Sequence, residues 1–129
     1  MRIRSAVIIE ENDKILLIKR VKEGQTYFVF PGGQVEQGET LEQAAIREAL
    51  EEVGVIVELE GLFFELSFNG QQVYYRAKII GGKIGTGTGP EYSQPELYSG
   101  TFEPVWLAKN ELTKHDVRPI ELIEKLFER

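Results

Sequence analysis

One stretch of this chain, residues 33–55, constrains its structure more than any other. It begins as a glycine-bearing loop and continues with a helical pattern, GQVEQGETLEQAAIREALEEVGV. Side chains three and four positions apart are neighbours on a helix, so Glu48, Glu51 and Glu52 are expected on one side of it. The apolar side chains sweep a separate arc that can face a core, and they are Ala45, Ile46, Ala49, Leu50 and Val53. The stretch therefore predicts a helix with a packing face and an acidic face.

The sequence also marks the two ends of this helix. Thr40 is placed to act as N-cap, with Gln43 three residues on, which is the capping-box pattern. Gly54 supplies a C-terminal stop, because glycine readily adopts the left-handed conformation that ends helices. Upstream, four residues permit a tight turn that points backbone groups at a ligand, namely Pro31, Gly32, Gly33 and Gly38. The loop and the acidic face are thus predicted to meet at one place.

Three neighbouring glutamates have two interpretations. Like charges cost only about 0.2–0.5 kcal/mol per pair on an exposed helix, so a solvated acidic face is one of them. The other is a site for a hard cation, since carboxylate oxygens suit Mg²⁺ or Mn²⁺ together with waters and substrate phosphates. Considered without the loop, the glutamates favour the solvated face, because glutamate is a common and strong helix former.

The spacing across the whole stretch is much more specific than the glutamates alone. Five residues separate Gly33 from Glu39, and seven separate Glu39 from the run REALEEVGV that begins at Arg47. This pattern resembles the signature box of the Nudix hydrolases at every fixed identity, with Ala49 standing where the family more often has a larger aliphatic residue. The preceding run FVFPGG is similar to the family's approach to the box. On these residues the chain is identified as a member of the Nudix hydrolase family.

The resemblance carries expectations about fold, chemistry and site residues. It implies the Nudix fold, an α/β/α sandwich with a mixed β-sheet between helices. It also implies hydrolysis of a nucleoside diphosphate linked to another moiety, with Mg²⁺ or Mn²⁺ as cofactor. Matched residue by residue, the metal ligands are the carbonyl of Gly33 and the carboxylates of Glu48, Glu51 and Glu52. Glu48 is alternatively the general base, Arg47 orients the glutamates by ion pairing, and Glu39 supports the loop.

Side chains outside the box are candidates for substrate binding. Arg20 closes a strand and has the charge to contact a phosphate, although a solvated strand end is the alternative. Tyr74 and Arg76 alternate onto one face of a strand, where they can stack on a base and contact phosphate. Packing is the alternative for such an aromatic residue. The alternative places for the nucleoside are near Phe28, just before the glycine loop, and at the Arg4 end of the first strand.

Residues 81–100 form the least regular stretch, with repeated glycines typical of a functional or mobile loop. Nudix proteins often draw an extra metal ligand or base from a loop beyond the box, which makes Glu91 and Glu96 candidates. Solvated loop residues are the alternative for each. The nucleoside is predicted to lie over the strand that precedes this loop, with the loop ordering on binding.

The remaining pattern predicts strands around the helix. Residues 3–9 and 14–19 are expected to pair as a hairpin, as are residues 55–68 and 72–80 around Asn69 and Gly70. Another strand is predicted at 102–107, a helical turn at 110–112 and an amphipathic helix after Pro119. His115 lacks a partner at recognisable spacing and is expected at the surface.

Composition narrows the class of protein. The 129 residues, 42% hydrophobic and 28% charged, are expected to form a single domain over 1–129. Zero cysteines exclude disulfides and a thiol nucleophile, and fit a cytoplasmic protein. A net charge of −6 argues against nucleic-acid binding, and no apolar run is long enough for a membrane span. The expected partner is a small-molecule nucleotide, with monomer and homodimer both open.

Two other classes share the expected fold. A non-catalytic nucleotide-sensing module is free to lose the glutamates, and here all of them are present. An isomerase of isoprenoid diphosphates would use a cysteine that this chain lacks. The substrate stays open among a dNTP or oxidised dNTP, ADP-ribose and a dinucleoside polyphosphate, because no convincing subgroup motif lies beyond the box.

Overall fold

The computed structural model describes residues 2–67, 70–93 and 100–128. Within them the elements, in chain order, are β1 (Ile3–Glu11), β2 (Lys14–Lys22), β3 (Gln25–Val29), β4 (Gly32–Gln34), α1 (Leu41–Val53), β5 (Val55–Ser67), β6 (Gln71–Gly82), α2 (Pro90–Ser93), β7 (Glu103–Ala108), a 3₁₀ helix (Lys109–Lys114), β8 (Val117–Arg118) and α3 (Ile120–Leu126). Two residues named in the sequence analysis, Asn69 and Glu96, lie outside the described residues.

The strands form one mixed sheet in the order β5-β6-β1-β2-β3-β8, with β4 beside β1 and β7 beside β2. The pairs β1/β6 and β3/β8 are parallel, and the other pairs are antiparallel. The β1/β2 hairpin pairs only at its closed end, where Glu10 faces Ile15 and Glu11 faces Lys14. The two strands then diverge to different neighbours, so each takes part in a separate half of the sheet.

Alternation along the central strands builds a core on each face of the sheet. Ala6 and Ile8 of β1 belong to one apolar cluster, whereas Val7 and Ile9 belong to the other. The first cluster is covered by α3, through Leu122, Ile123 and Leu126. The second is covered by α1, through Ala45, Ala49 and Val53. The expected α/β/α sandwich with a mixed sheet is therefore confirmed.

Both predicted hairpins are present. Asn12 and Asp13 join β1 to β2 with φ values of 52° and 61°, the left-handed conformation that asparagine and aspartate tolerate in tight turns. β5 and β6 are antiparallel and meet near Gly70, whose φ is 108°. The strand predicted at 102–107 is β7, and the helix predicted after Pro119 is α3. His115 is exposed, as expected, although its ring lies edge-on to Phe28.

The predicted packing face of α1 was wrong at two positions. Ile46 and Leu50 are 38% and 47% exposed, instead of facing the core. The buried arc of the helix is centred near Ala45 and Glu52, so Ile46 and Leu50 fall beyond its edge. Alanines on that arc let the helix approach the sheet closely, and they leave an inward-facing position that a glutamate occupies.

Two helical leucines test this assignment, because they differ mainly in burial. Leu122 of α3 is 0% exposed, and Leu122→Ala should lower the free energy of unfolding by about 2–5 kcal/mol through lost burial and a cavity. Leu50→Ala on α1 should change it by less than about 1 kcal/mol, since surface substitutions have small effects. Urea unfolding at one pH measures both. Equal losses of unfolding free energy in the two variants would show that Leu50 packs in the core.

Candidate active site

The capping interactions of α1 fix where its glutamates lie relative to the loop. The Thr40 hydroxyl accepts a hydrogen bond from the Gln43 amide at 3.0 Å, and the Gln43 side chain accepts one from the Thr40 amide at 2.9 Å. At the other end Gly54 has a φ of 91° and its amide donates to the carbonyls of Ala49 and Leu50. The predicted capping box and glycine stop are confirmed, so both ends of the helix are set by local sequence.

Arg47 brings together carboxylates of α1 and of the loop that precedes it. Its Nε and Nη2 donate to the two oxygens of Glu39, at 2.7 and 3.0 Å. Its Nη1 donates to Glu48 Oε1 at 2.7 Å and to Glu51 Oε2 at 2.8 Å. Nη2 also reaches the carbonyl of Gln34 at 3.1 Å. One guanidinium therefore ties three carboxylates to the end of β4, a geometry that needs its planar fork.

Glu39 connects this cluster to the loop. Its Oε1 accepts a hydrogen bond from the backbone amide of Glu36 at 3.0 Å, across the turn that leads into α1. The hydrogen bond from Arg47 holds the pKa of Glu39 below its ordinary value, and that of Arg47 is raised in return, chiefly by Glu39. Both groups are charged near neutral pH. The pair therefore links α1 to the loop before it, and the supporting role of Glu39 stays a prediction.

Glu52 is the most buried carboxylate of the cluster. It is 8% exposed, and its Oε1 accepts a hydrogen bond from the Gly32 amide at 3.1 Å. Burial raises the pKa of Glu52 to about 8, against the opposing effects of the positive charge of Arg4 and of the Gly32 hydrogen bond. A carboxyl held in this way has lost much of its water without gaining an ion pair as close as those of Arg47. Burying a carboxyl in this way costs free energy, and a residue needed only for packing would not require that cost.

Glu48 and Gly33 lie in tight contact. A Cβ at Gly33 would lie 2.5 Å from the carboxyl carbon of Glu48, so no larger residue fits there without displacing the carboxylate. Burial raises the pKa of Glu48, partly offset by Arg47. The glycine therefore brings backbone and carboxylate together at one point, which is what the predicted carbonyl ligand at Gly33 requires.

Glu91 completes the cleft from the opposite side. It lies in α2, which follows β6, and together with α1 and the glycine loop it borders a cleft of about 420 Å³. Its Oε1 is buried and, among the described residues, has no hydrogen-bond partner. Burial raises the pKa of Glu91, and the negative charge of Glu51 adds to that effect. The residues that line the cleft include Gly33, Glu48, Glu51, Glu52, Glu91 and Phe102.

The donor set of this cleft fits a hard divalent cation. The carboxylates that border it offer only oxygen donors, one of which is buried and has no partner among the described residues, and the backbone of Gly33 closely approaches the Glu48 carboxylate. In the part of the chain that the structure describes, no three acidic or histidine side chains already converge as a metal cage. One oxygen of each of Glu48, Glu51 and Glu52 accepts a hydrogen bond from Arg47 or from the Gly32 amide, which fixes the direction of these carboxylates.

A second cavity, of about 470 Å³, receives two of the predicted substrate residues, Arg20 and Tyr74. Tyr74 is almost fully buried, with its ring edge-on to Phe30 and its hydroxyl donating to Gln72 at 2.6 Å. Arg20 lies over the ring of Phe102 at 3.7 Å. Phe102 lines the acidic cleft, so the contact between Arg20 and Phe102 joins a residue of the cavity to a residue of the cleft.

Two other predicted substrate residues, Arg76 and Phe28, do not line this cavity. Arg76 covers the ring of Phe63 at 4.4 Å and lines a separate depression beside Glu10. Phe28 is buried in the cluster under α3. Tyr74 and Arg76 do share a strand face, but the sheet carries them to different surroundings. Their roles in substrate binding stay predictions.

The larger cavity is also lined by Arg4, which the sequence analysis named as an alternative, and by Tyr27 and Arg118, which it missed. Arg4 donates to the carbonyl of Phe30 at 2.6 Å and lines the larger cavity, and Arg118 lies over the ring of Tyr27 at 4.1 Å in the same cavity. They come from β1, β3 and β8, which are far apart in the chain. No local pattern signals such a convergence, because strand order brings these residues together.

Comparison with known proteins gives the family. A sequence model described as the NUDIX domain matches residues 1–126. The chain therefore belongs to the Nudix family. In three dimensions it is similar to a NUDIX hydrolase from Nitrosomonas europaea, with a TM-score of 0.75, 21% identity and coverage of 97% of this chain and 85% of that one. That similarity shows the fold.

Two curated relatives match parts of the chain. It is 38% identical over 88 residues to an ADP-ribose pyrophosphatase of Methanocaldococcus jannaschii, covering 62% of this chain and 52% of the relative. It is 37% identical over 70 residues to an 8-oxo-dGTP diphosphatase of Escherichia coli, covering 53% and 54%. The chain thus spans about half the length of these relatives. Among its described residues, no helix combines the length and apolar character needed to cross a bilayer.

The buried carboxyl of Glu52 gives a pH-dependent prediction for metal-free protein. Its folded pKa of about 8 exceeds the ordinary value of 4.5, so the folded state binds more protons between these limits. The stabilising contribution is complete below about pH 4.5 and is lost as pH rises through about 8. In the presence of chelator, Glu52→Gln should therefore become more stable relative to the parent from pH 5 to pH 9. A difference in Tm that is independent of pH would contradict this.

Arg47 gives a second prediction about stability. Arg47→Lys keeps the charge but cannot hold Glu39 bidentately while reaching Glu48 and Glu51, so it should cost about 1–3 kcal/mol and speed amide exchange in residues 34–39. The matched control is Arg118→Lys, which alters an exposed pair with Asp116 and should cost less than about 1 kcal/mol. Unchanged exchange in residues 34–39 would show that Arg47 does not brace the loop.

Proposed function

We propose that this chain hydrolyses a phosphoanhydride bond in a nucleoside diphosphate-linked substrate, with Mg²⁺ or Mn²⁺ held at α1. One observation supports this most strongly. The carboxylates of Glu48, Glu51, Glu52 and Glu91 border a single cleft, and a buried oxygen of Glu91 has no partner among the described residues. An all-oxygen cleft of this kind suits a hard cation and the phosphates that accompany it.

When bound, the metal supplies charge that polarises phosphoryl oxygens and lowers the pKa of a coordinated water. The residues that would hold it are Glu51, Glu52, Glu48 and the carbonyl of Gly33, with Glu91 as an extra ligand from the loop. Arg47 keeps Glu48 and Glu51 in place before the substrate arrives. Glu48 and Glu91 are the candidates to accept the proton of the attacking water, and both carboxyls border the cleft.

The larger cavity is the proposed site for the rest of the substrate. It combines the cations of Arg4, Arg20 and Arg118 with the rings of Tyr27 and Tyr74, and its Arg20 contacts Phe102 of the acidic cleft. Arginines suit phosphate oxygens, and aromatic faces suit a base. Substrates of the expected classes need such a neighbour to the metal site. Because two relatives are named for 8-oxo-dGTP and ADP-ribose, both substrate classes are included in the test described next.

A matched pair of glutamate variants tests the proposal. Glu52→Gln keeps the shape of the side chain and removes its charge, so turnover should fall by about 100-fold or more while the protein stays folded. Glu58→Gln, an exposed residue of β5 that pairs with Lys78, should leave turnover unchanged. A panel of nucleotides with Mg²⁺, with and without chelator, and products identified by mass spectrometry, provides the measurement and names the substrate class.

The outcomes separate the competing functions. Near-normal turnover of Glu52→Gln at saturating Mg²⁺ would refute the assigned site. Nucleotide binding without any hydrolysis across the panel would instead favour the nucleotide-sensing module. Hydrolysis that survives chelation would refute the metal dependence.

A further inference from the structure

The segment after β6 lies along the C-terminal end of α1. The last carbonyls of a helix have no intrahelical donor and must be satisfied from elsewhere. The Gly89 amide donates to the carbonyl of Glu51 at 2.8 Å, and the Gly85 amide donates to that of Val53 at 2.9 Å. Two backbone amides of this segment therefore satisfy carbonyl groups in the last turn of α1.

Tyr92 satisfies the carbonyl of Glu52, which lies between those of Glu51 and Val53. Its hydroxyl donates to the carbonyl of Glu52 at 2.6 Å. Burial raises the pKa of Tyr92 to about 12, and the charges of Glu52 and Glu91 add to that effect, so the hydroxyl keeps its proton at neutral pH. Its ring lies edge-on to Phe102, which Arg20 covers. The side chain is thus fixed at the hydroxyl and at the ring.

Glu91 immediately precedes Tyr92 in the same short helix, so whatever fixes Tyr92 also limits the position of Glu91. Its carboxylate has little freedom of its own. A Cβ at Gly89 would lie 2.5 Å from Glu91 Oε1, which shows how closely backbone surrounds that oxygen. Because that oxygen has no hydrogen-bond partner among the described residues, support from the backbone matters for keeping the carboxylate at the cleft.

We propose that Tyr92 is a positioning residue, which holds Glu91 against the cation site by tying α2 to the last turn of α1. This rests on the proposed function, because the role of Glu91 toward the cation is assigned there. The hydroxyl links the turn that carries Glu91 to the backbone of Glu52, so both proposed ligands share one rigid attachment. Residues that orient a metal ligand commonly matter almost as much as the ligand.

The test is a variant of Tyr92 that lacks only the hydroxyl oxygen. Tyr92→Phe keeps the ring against Phe102 and should weaken Mn²⁺ binding by about tenfold, the usual effect of losing a group that orients a ligand. The same change made in Glu91→Gln protein should weaken binding by less than about twofold, since the residue to be positioned is already lost. Mn²⁺ titration followed by electron paramagnetic resonance measures affinity without any nucleotide present.

Tyr75→Phe is the matched control. The Tyr75 hydroxyl contacts Glu42 at 3.4 Å, near the opposite end of α1, and its removal should leave Mn²⁺ affinity unchanged. Equal weakening by Tyr92→Phe with and without Glu91 would show a general structural effect and overturn the positioning role, as would no weakening at all. If Glu52→Gln abolished Mn²⁺ binding in those cases, the proposed metal site would still stand. A parent protein that bound no Mn²⁺ would refute the proposed function and, with it, this role.

Discussion

The ion pairs of Arg47 are the interactions on which the rest of the site depends. Five acidic residues border one cleft in a chain whose net charge is already −6, and their repulsion has to be offset locally. A single guanidinium does this for Glu48 and Glu51 while Glu39 anchors it to the loop. Because those bonds also fix the side-chain directions, the same contacts that reduce the repulsion hold the carboxylates ready for a cation.

Glu52 shows the cost of such an arrangement. A buried carboxyl whose nearest hydrogen-bond donor is a backbone amide favours its neutral form, as its raised pKa indicates. Replacing it with glutamine should make the metal-free protein more stable at alkaline pH and at the same time remove the proposed activity. Stability and the proposed function therefore oppose each other at Glu52. This trade-off is common where a functional site requires a charged group that is shielded from water.

The fold connects the cleft to the larger cavity through a small set of contacts. Phe102 lines the cleft, carries the guanidinium of Arg20 on one side and meets Tyr92 at its edge. Tyr92 in turn is bonded to the backbone of α1. A continuous chain of contacts, from the backbone of α1 through Tyr92 and Phe102 to Arg20, therefore connects the helix that is proposed to hold the metal with the cavity that is proposed to hold the nucleoside.

Local sequence determined what depends on neighbours along the chain: the caps of α1 at Thr40 and Gly54, the hairpin turns, and the crowding of Glu48, Glu51 and Glu52 on one helix. The box identified the family because its spacing encodes one loop and one helix. The tertiary structure decided which arc of that helix is buried, exposing Ile46 and Leu50 and burying Glu52. It also separated Arg76 from Tyr74 and brought Arg4, Arg20 and Arg118 to one cavity. Those outcomes depend on strand order and on close packing between distant segments, which periodicity along a single element does not contain.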